Sequence, residues 1–243
     1  MKGSRHFRVS ALLSACVLSL IATAGWSQSI TWLGTLPGGS QSAAYGVSAD
    51  GSVVVGMATN AAGQPRAFRW WAAMQDLGTL PGGYDSWAFG VSADGSVVVG
   101  AARNAAGVWL ASRWTASGGM QNLDTLVTSY AYAVSADGSV VVGTVAGRRA
   151  FRWTASGGME NLNTTYASLL TNGSYLVEAT AISPDGRYIV GMGYNAATRR
   201  DEAFLLDTGG RPPCTLDGDV NGDGIVDDAD LLIVLFNFGN RCP

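Results

Sequence analysis

A ten-residue segment recurs four times along this chain of 243 residues and constrains its fold more than any other feature. Residues 47–56, 91–100 and 134–143 read Val-Ser-Ala-Asp-Gly-Ser-Val-Val-Val-Gly, and residues 182–191 are a variant of it. The copies start 44, 43 and 48 residues apart. A period of this size, with short apolar runs and glycine turns, indicates a repeat architecture. Side chains shared by all copies are therefore expected to build the scaffold, and a functional site is expected among residues that differ between copies.

Each copy is predicted to contain four short strands. In the first copy these are residues 44–48, 52–57, 66–70 and 74–78. The Ser-Ala-Asp-Gly segment between the first two is typical of a tight turn, because glycine adopts a positive φ without a steric penalty. The valine run 53–55 has no polar alternation, so both of its faces are expected to be buried.

Stacked four-stranded sheets with a period of about 44 residues are typical of a β-propeller. The predicted fold class is therefore all-β, a four-repeat β-propeller-like array over residues 30–210. The fourth copy shows three strands, at 178–182, 187–192 and 202–206, while residues 30–39 repeat the sequence of a fourth strand. One hypothesis is that this N-terminal strand completes the last sheet and closes the ring. An open arc, a ring shared between two chains and a β-solenoid are the alternatives.

The repeats also carry a family resemblance. Residues 46–56, 67–70 and 74–83 resemble the bacterial extracellular HAF repeat family, and the resemblance covers about residues 30–210. It implies a repeat domain without a settled activity. The turn at residues 183–188, Ser-Pro-Asp-Gly-Arg-Tyr, is similar to WD40-like and TolB-like blades, which also implies a propeller.

The first 24 residues are predicted to be a secretory signal peptide. Lys2, Arg5 and Arg8 precede an apolar run over residues 9–22, and Ala-Thr-Ala at 22–24 is a cleavage site. The mature chain is therefore expected outside the cell or at its surface. Lipidation at Cys16 is the alternative, and no later segment is apolar enough to span a bilayer.

Cleavage would leave a chain with a formal charge of −6, from 12 arginines and 18 acidic residues. This balance argues against a nucleic-acid partner. Cleavage would also remove His6, the only histidine. The mature chain would then have no histidine to activate a serine nucleophile, which argues against serine–histidine catalysis.

An acidic tail follows the repeats, over residues 211–243. Its oxygen-bearing side chains have the spacing of a Ca²⁺-binding loop, with a glycine at the sixth loop position and a backbone carbonyl ligand at the seventh. The predicted metal ligands are Asp219, Asn221, Asp223, Ile225, Asp227 and Asp230. A helix is predicted to follow at residues 227–238, with acids in its first turn and a glycine after its end. The implied metal cofactor is Ca²⁺.

The loop and helix at about residues 217–239 resemble one half of a type I dockerin. The resemblance implies docking to a cohesin-like or cell-surface protein, although dockerins contain two such halves and one is visible here. Cys214 and Cys242 flank the unit and are the two cysteines of the mature chain, so a disulfide between them is predicted for an exported protein.

Three sets of residues are candidates for function. The turn aspartates Asp50, Asp94, Asp137 and Asp185 and the tryptophans Trp70, Trp114 and Trp153 recur in register and are interpreted as structural. Four other tryptophans break register and are candidates for a glycan-facing surface: Trp32, Trp71, Trp87 and Trp109.

No pair of non-repeated acids suggests a glycosidase, and no catalytic residue is assigned. The predicted function is a secreted, non-catalytic repeat scaffold or binding protein with a Ca²⁺-dependent docking or retention tail. An accessory component of extracellular polysaccharide degradation is the alternative, and a glycan-cleaving hydrolase is the third hypothesis.

We expect millimolar Ca²⁺ to raise the temperature of thermal unfolding of the mature chain, because a unit of about 29 residues buries too little core to fold without a metal or a disulfide. Differential scanning calorimetry with and without Ca²⁺ measures the shift. An unchanged thermogram would contradict the metal site.

Overall fold

The computed structural model describes residues 28–123, 127–146 and 148–209, and their regular structure is almost entirely β. The strands are β1 (Ser42–Val47), β2 (Val54–Thr59), β3 (Pro65–Trp71), β4 (Ala73–Asp76), β5 (Ser86–Val91), β6 (Val97–Arg103), β7 (Trp109–Thr115), β8 (Gly119–Asn122), β9 (Ser129–Val134), β10 (Val140–Val145), β11 (Arg149–Thr154), β12 (Gly158–Asn161), β13 (Tyr175–Ile182), β14 (Tyr188–Asn195) and β15 (Arg200–Asp207). Within these ranges, no helix has the length and apolar content needed to cross a bilayer.

The strands form four consecutive antiparallel sheets, one for each copy of the repeat. Sheet 1 is β1-β2-β3-β4, sheet 2 is β5-β6-β7-β8, sheet 3 is β9-β10-β11-β12, and sheet 4 is β13-β14-β15. Each recurring segment begins at the end of a first strand, passes through the turn and enters the second strand. The predicted all-β, propeller-like array of four repeats is confirmed, and the predicted strands agree with the observed ones to within a few residues.

Successive sheets pack face to face, and their shared apolar side chains form the core between them. The valine run is buried on both faces as predicted: Val97, Val98 and Val99 are all at most 5% exposed. Val98 and Trp114 pack toward sheet 1, whereas Val97 and Val99 pack toward sheet 3. Each inner sheet therefore contributes side chains to two cores.

The recurring turns also connect one sheet to the next. The Ala49 N–H donates to the Ala93 carbonyl, the Ala93 N–H to Ala136, and the Ala136 N–H to Pro184, at 2.9–3.1 Å. Gly95 lies against Val53 of the preceding sheet so closely that a Cβ would come within 2.4 Å of it, and its φ of 72° also favours glycine. The turn sequence is thus required both for the turn and for stacking.

The turn aspartates stabilise the turns, as predicted. The Asp50 carboxylate accepts hydrogen bonds from the Ser52 N–H at 3.0 Å and the Ser48 hydroxyl at 2.7 Å. These bonds favour the charged carboxylate and lower the pKa of Asp50 to about 2. Asp94 is held in the same way by Ser92 and Ser96.

The N-terminal segment differs from the ring-closing strand of the hypothesis. Residues 28–35 form no strand, and sheet 4 has three strands within the described ranges. Leu36 is instead buried against Ala58 and Phe68 of sheet 1. Leu80, at the same place in the second Leu-Gly-Thr-Leu-Pro-Gly-Gly segment, is buried in the same way in sheet 2. The segment covers the sheet that follows it, because its second leucine has an apolar site there.

A short helical insertion before sheet 4 was not predicted. It comprises helix α1 (Leu162–Thr165) and two 3₁₀ turns, Ala167–Leu169 and Thr171–Gly173. The Asn161 side chain caps the helix by accepting from the Asn163 N–H, and the Asn163 side chain bonds both backbone groups of Leu176. The insertion accounts for the longer spacing of the fourth copy.

We expect Asp94→Ala to lower the free energy of unfolding by about 1 kcal/mol at pH 7, because it removes the acceptor of the turn. The pKa of Asp94 lies below its ordinary value, owing to bonds from the Ser92 hydroxyl, then the Ser96 N–H and hydroxyl. Its charged form is therefore favoured by folding, and its contribution is complete above an unfolded pKa of about 4 and lost as the pH falls below that.

Denaturant titrations of the Asp94→Ala variant and the parent chain at pH 7 and at pH 2–3 measure this difference. Glu178→Gln is the control, because it neutralises a carboxylate outside the recurring turns for which no hydrogen bond or ion pair is seen among the described residues. An equal difference at both pH values would contradict the role of the charged carboxylate.

Candidate functional site

Residues that differ between the copies converge on one cleft where sheets 2 and 3 meet. The cleft, called the aromatic cleft below, has a volume of about 330 Å³. It is lined by Pro65, Asp85, Trp87, Phe89, Ala101, Arg103, Trp109 and Tyr130. Most of these side chains belong to the second copy.

Strand register brings the main side chains together. Trp87 in β5 lies opposite Ala101 in β6, and Arg103 at the end of β6 lies opposite Trp109 at the start of β7. Residues 101 and 103 share a face of the sheet because side chains alternate along a strand. The backbone is the same in sheet 1, where Ala43, Thr59 and Pro65 occupy the positions of Trp87, Arg103 and Trp109. The cleft therefore depends on side chains that only the second copy carries.

The aromatic rings of the cleft form a connected cluster. The Trp87 and Trp109 ring centroids are 5.7 Å apart and nearly edge to face. Tyr130 lies 6.4 Å from Trp109, and Phe89 lies 5.9 Å from Trp87. Such spacings are typical of favourable aromatic pairs. The cluster is consequently preorganised, with flat apolar faces in fixed positions.

The cluster continues along the first strands of the sheets. Phe89 is 6.0 Å from Tyr45 in sheet 1 and 5.8 Å from Tyr132 in sheet 3. Tyr45 and Phe89 each lie where the pairing of their strand shifts by one residue, and such bulges re-aim a side chain. Burial raises the pKa of Tyr132, with smaller contributions from Glu178 and Tyr130, so its phenol is neutral at physiological pH.

An arginine and an aspartate form the polar side of the cleft. The Arg103 Nε lies 3.4 Å from an Asp85 carboxylate oxygen, and its Nη1 donates to the Tyr84 hydroxyl at 2.6 Å. The guanidinium also lies over the rings of Trp109 and Tyr84, at 5.0 and 5.3 Å from their centroids. The charge is therefore held in place by ionic, hydrogen-bonding and cation–π contacts.

One N–H group at the cleft is available to a ligand. The buried Trp87 Nε1 makes no hydrogen bond to any described residue, whereas Arg103 Nε, which also lacks a hydrogen bond of good geometry, faces the Asp85 carboxylate. A buried donor without an acceptor is unfavourable, so a polar ligand atom or a water would stabilise it. Asp85 is the only carboxylate among the lining residues, and the cleft thus offers flat apolar faces beside a few donors and acceptors.

A larger groove of about 700 Å³ lies at the recurring turns of sheets 1 to 3. Its lining includes Arg69, Asp94, Arg113 and Trp114, which occupy positions shared between copies. Arg69, for example, donates to the Gly95 carbonyl of the next sheet at 3.1 Å. These residues hold the sheets together, and the groove is a less specific candidate than the aromatic cleft.

The structure separates the four tryptophans predicted for a glycan-facing surface. It brings Trp87 and Trp109 together in the cleft, whereas Trp32 and Trp71 are exposed and are not among the lining residues. The sequence analysis missed Arg103, Tyr84 and Tyr130. Arg103 carries a detectable signal, because it is a charged residue where the neighbouring copies have Thr59 and Ala146. Of the in-register tryptophans, Trp114 and Trp153 pack between sheets as predicted, whereas Trp70 packs against the Leu36 cluster of sheet 1 and not against a second sheet.

Some predicted sites lie outside the described residues. These are the signal peptide (residues 1–24) with Cys16, the metal ligands Asp219, Asn221, Asp223, Ile225, Asp227 and Asp230, and the cysteines Cys214 and Cys242. Within the described ranges, no group of three or more His, Cys, Asp or Glu side chains is arranged to hold a metal.

Comparison with known proteins returned structural similarities alone. No protein-family model matches the chain, and no curated protein matches it significantly. Among solved structures, a putative TolB from Agrobacterium tumefaciens is 15% identical over 67% of this chain and 60% of its own, with a TM-score of 0.49. TolB from Acinetobacter baumannii is 18% identical over 69% of this chain and 41% of its own, with a TM-score of 0.47. The matched region spans less than two thirds of either protein.

Proposed function

We propose that this chain is an exported, non-catalytic binding protein whose aromatic cleft takes a glycan. The observation that carries the proposal is the convergence of non-repeated side chains, namely Trp87, Trp109 and the Arg103–Asp85 pair, on one cleft. The repeats are the rigid scaffold that positions these side chains.

A sugar ring suits both sides of this cleft. One face of a pyranose presents C–H groups, which pack on flat aromatic rings such as Trp109, while its rim presents hydroxyls. The Arg103 and Trp87 N–H groups are donors for those hydroxyls, and the Asp85 carboxylate is an acceptor. Ligand sites of this kind are mostly apolar, with a few polar groups that fix orientation. A neutral ligand is favoured because Asp85 already balances the charge of Arg103.

The number of carboxylates that line the aromatic cleft favours binding over hydrolysis. Glycoside hydrolysis needs two carboxyl groups about 5–10 Å apart on either side of the bond that is cleaved. Asp85 is the only carboxylate among the lining residues, and it is engaged by Arg103. A role as an accessory component of polysaccharide degradation is the second candidate function. It is favoured by the Ca²⁺-loop spacing of the tail, which would dock the chain beside other proteins.

We expect Trp109→Ala to weaken glycan binding about five- to thirtyfold, because loss of one stacking ring removes about 1–2 kcal/mol. A glycan array with the mature chain identifies the ligand, and titration calorimetry gives the affinity of each variant. Trp71→Ala removes a tryptophan that is exposed outside the cleft and is expected to leave the affinity unchanged. Equal effects of the two substitutions, or an array without any bound glycan, would contradict the proposal.

We also expect no release of reducing sugar from any polysaccharide that the protein binds, because the cleft provides one engaged acid. A reducing-end assay over several hours measures release. Release that is abolished in a folded Asp85→Asn variant would show that the cleft is a hydrolase site.

A further inference from the structure

We propose that this chain assembles head to tail with a second copy of itself, and that residues 30–33 of each copy add the fourth strand to sheet 4 of the next. The inference goes beyond glycan binding and does not depend on it. It rests on the two outward-facing sheets of the array, which carry the same kinds of side chain that the inner sheets bury. The face of sheet 4 that would meet a fifth sheet is called the trailing face, and the opposite face of sheet 1 is called the leading face.

The trailing face exposes side chains at positions that are buried in every other sheet. Val190 is 38% exposed, whereas its counterparts Val55, Val99 and Val142 are at most 1% exposed. Tyr188, whose counterparts Val53, Val97 and Val140 are buried, is 38% exposed. Leu205, which pairs with Val190, is 68% exposed, at a position where the other sheets carry the partly buried Arg69, Arg113 and Arg152. In the inner sheets this face always packs on the next sheet. The trailing face therefore has the composition of an interface but lacks a partner within the described part of this chain.

The leading face shows the complementary pattern. Ala44 is exposed, whereas its counterparts Ala88, Ala131 and Ala179 are fully buried against the preceding sheet. Val47 is 59% exposed. No buried cluster among the described residues joins sheet 1 to sheet 4, so the two faces do not cover each other. A second copy is the occupant that matches both faces, because leading and trailing faces already pair three times inside this chain.

Within the described residues, sheet 4 also has three strands where the other sheets have four. In those sheets, the residue after the fourth strand is a leucine buried in the core toward the next sheet, at Leu77, Leu123 and Leu162. Residues 30–33, Ile-Thr-Trp-Leu, correspond in sequence to residues 74–77, but they form no strand, and Ile30 and Trp32 are almost fully exposed.

The linker explains why a second copy would bring these residues to the open edge. Inside the chain, the Leu-Gly-Thr-Leu-Pro-Gly-Gly segment leads from the fourth strand of sheet 1 to the first strand of sheet 2, with Leu80 buried in sheet 2. The same segment leads from residues 30–33 to sheet 1, with Leu36 buried in sheet 1. When the leading face of one copy packs on the trailing face of another, residues 30–33 of the first copy therefore lie beside the open edge of β15 in the second. Addition of a strand to an open sheet edge is a common mode of association.

The junction between copies differs from the internal ones in one respect. The series of turn-to-turn hydrogen bonds runs from Ala49 through Ala93 and Ala136 and ends at Pro184, which has no N–H to donate. The junction between copies thus lacks that bond, and we expect association to be reversible and to depend on concentration. Because the two faces differ, the interface is heterologous and generates either a closed ring or an open row.

The test is analytical ultracentrifugation of the chain as exported, from about 1 to 100 µM. We expect the parent protein to self-associate over this range. Val190→Glu on the trailing face and Val47→Glu on the leading face are each expected to give a monomer, since every junction needs both faces. Circular dichroism melting confirms that the variants remain folded, which is expected because both side chains are partly exposed.

The decisive sample is an equimolar mixture of the two variants. The Val47→Glu chain keeps an intact trailing face and the Val190→Glu chain an intact leading face, so the mixture is expected to form a complex limited to two chains. A mixture that remains monomeric, or a parent chain that is monomeric at all concentrations, would overturn the proposal. The latter result would mean that another segment or partner covers these faces.

A separate substitution tests whether residues 30–33 add a strand to sheet 4. Trp32→Pro removes an N–H and constrains the backbone within the added strand, and it is expected to weaken self-association about tenfold or more without changing the melting temperature of the monomer. Gln28→Pro, which lies before the added strand, is the matched control and is expected to associate like the parent. Equal association of all three chains would overturn the strand addition.

Discussion

The packing of each sheet on the next is the interaction on which the rest of this structure depends. It requires a valine that lies against the turn of the following sheet, as Val53 lies against Gly95, and a hydrogen bond between successive turns, as between Ala49 and Ala93. Since each inner sheet is covered on both faces by its neighbours, the sheets stabilise one another as in other repeat proteins. The recurring segment contains both requirements, and this explains why it varies so little between copies.

That requirement leaves few positions where side chains can change without loss of stacking. The ends of the second and third strands are such positions, because they lie beyond the core between the sheets. In the second copy they carry Arg103 and Trp109 in place of Thr59 and Pro65, and a cleft forms there. The two end sheets follow the same repeat sequence. Ala44 and Val190 are therefore small or apolar like their buried counterparts in the inner sheets, although no sheet of the described chain covers them.

Much of the architecture could be predicted from residue patterns. The turn residues, the fully apolar valine run and the in-register tryptophans each have one physical explanation, and the strands and cores were found where these patterns place them. The insertion before sheet 4 was not predicted, because its helix is four residues long and begins with a capping asparagine in an otherwise irregular segment. The hypothesis that the N-terminal segment closes the ring within one chain is not met among the described residues, because Leu36 has an apolar site on sheet 1 and fixes the segment there.

By itself, the sequence determined the repeat, the turn chemistry and the division between shared and variable residues, since these depend on local backbone preferences and on a period along the chain. Tertiary structure alone decided which variable residues meet. Trp87, Arg103 and Trp109 are separated in the sequence and become neighbours through the register of three strands, and Tyr130 joins them from the next sheet. Only stacking brings residues of different sheets within contact distance, and that distance depends on side chains throughout both sheets rather than on any local pattern.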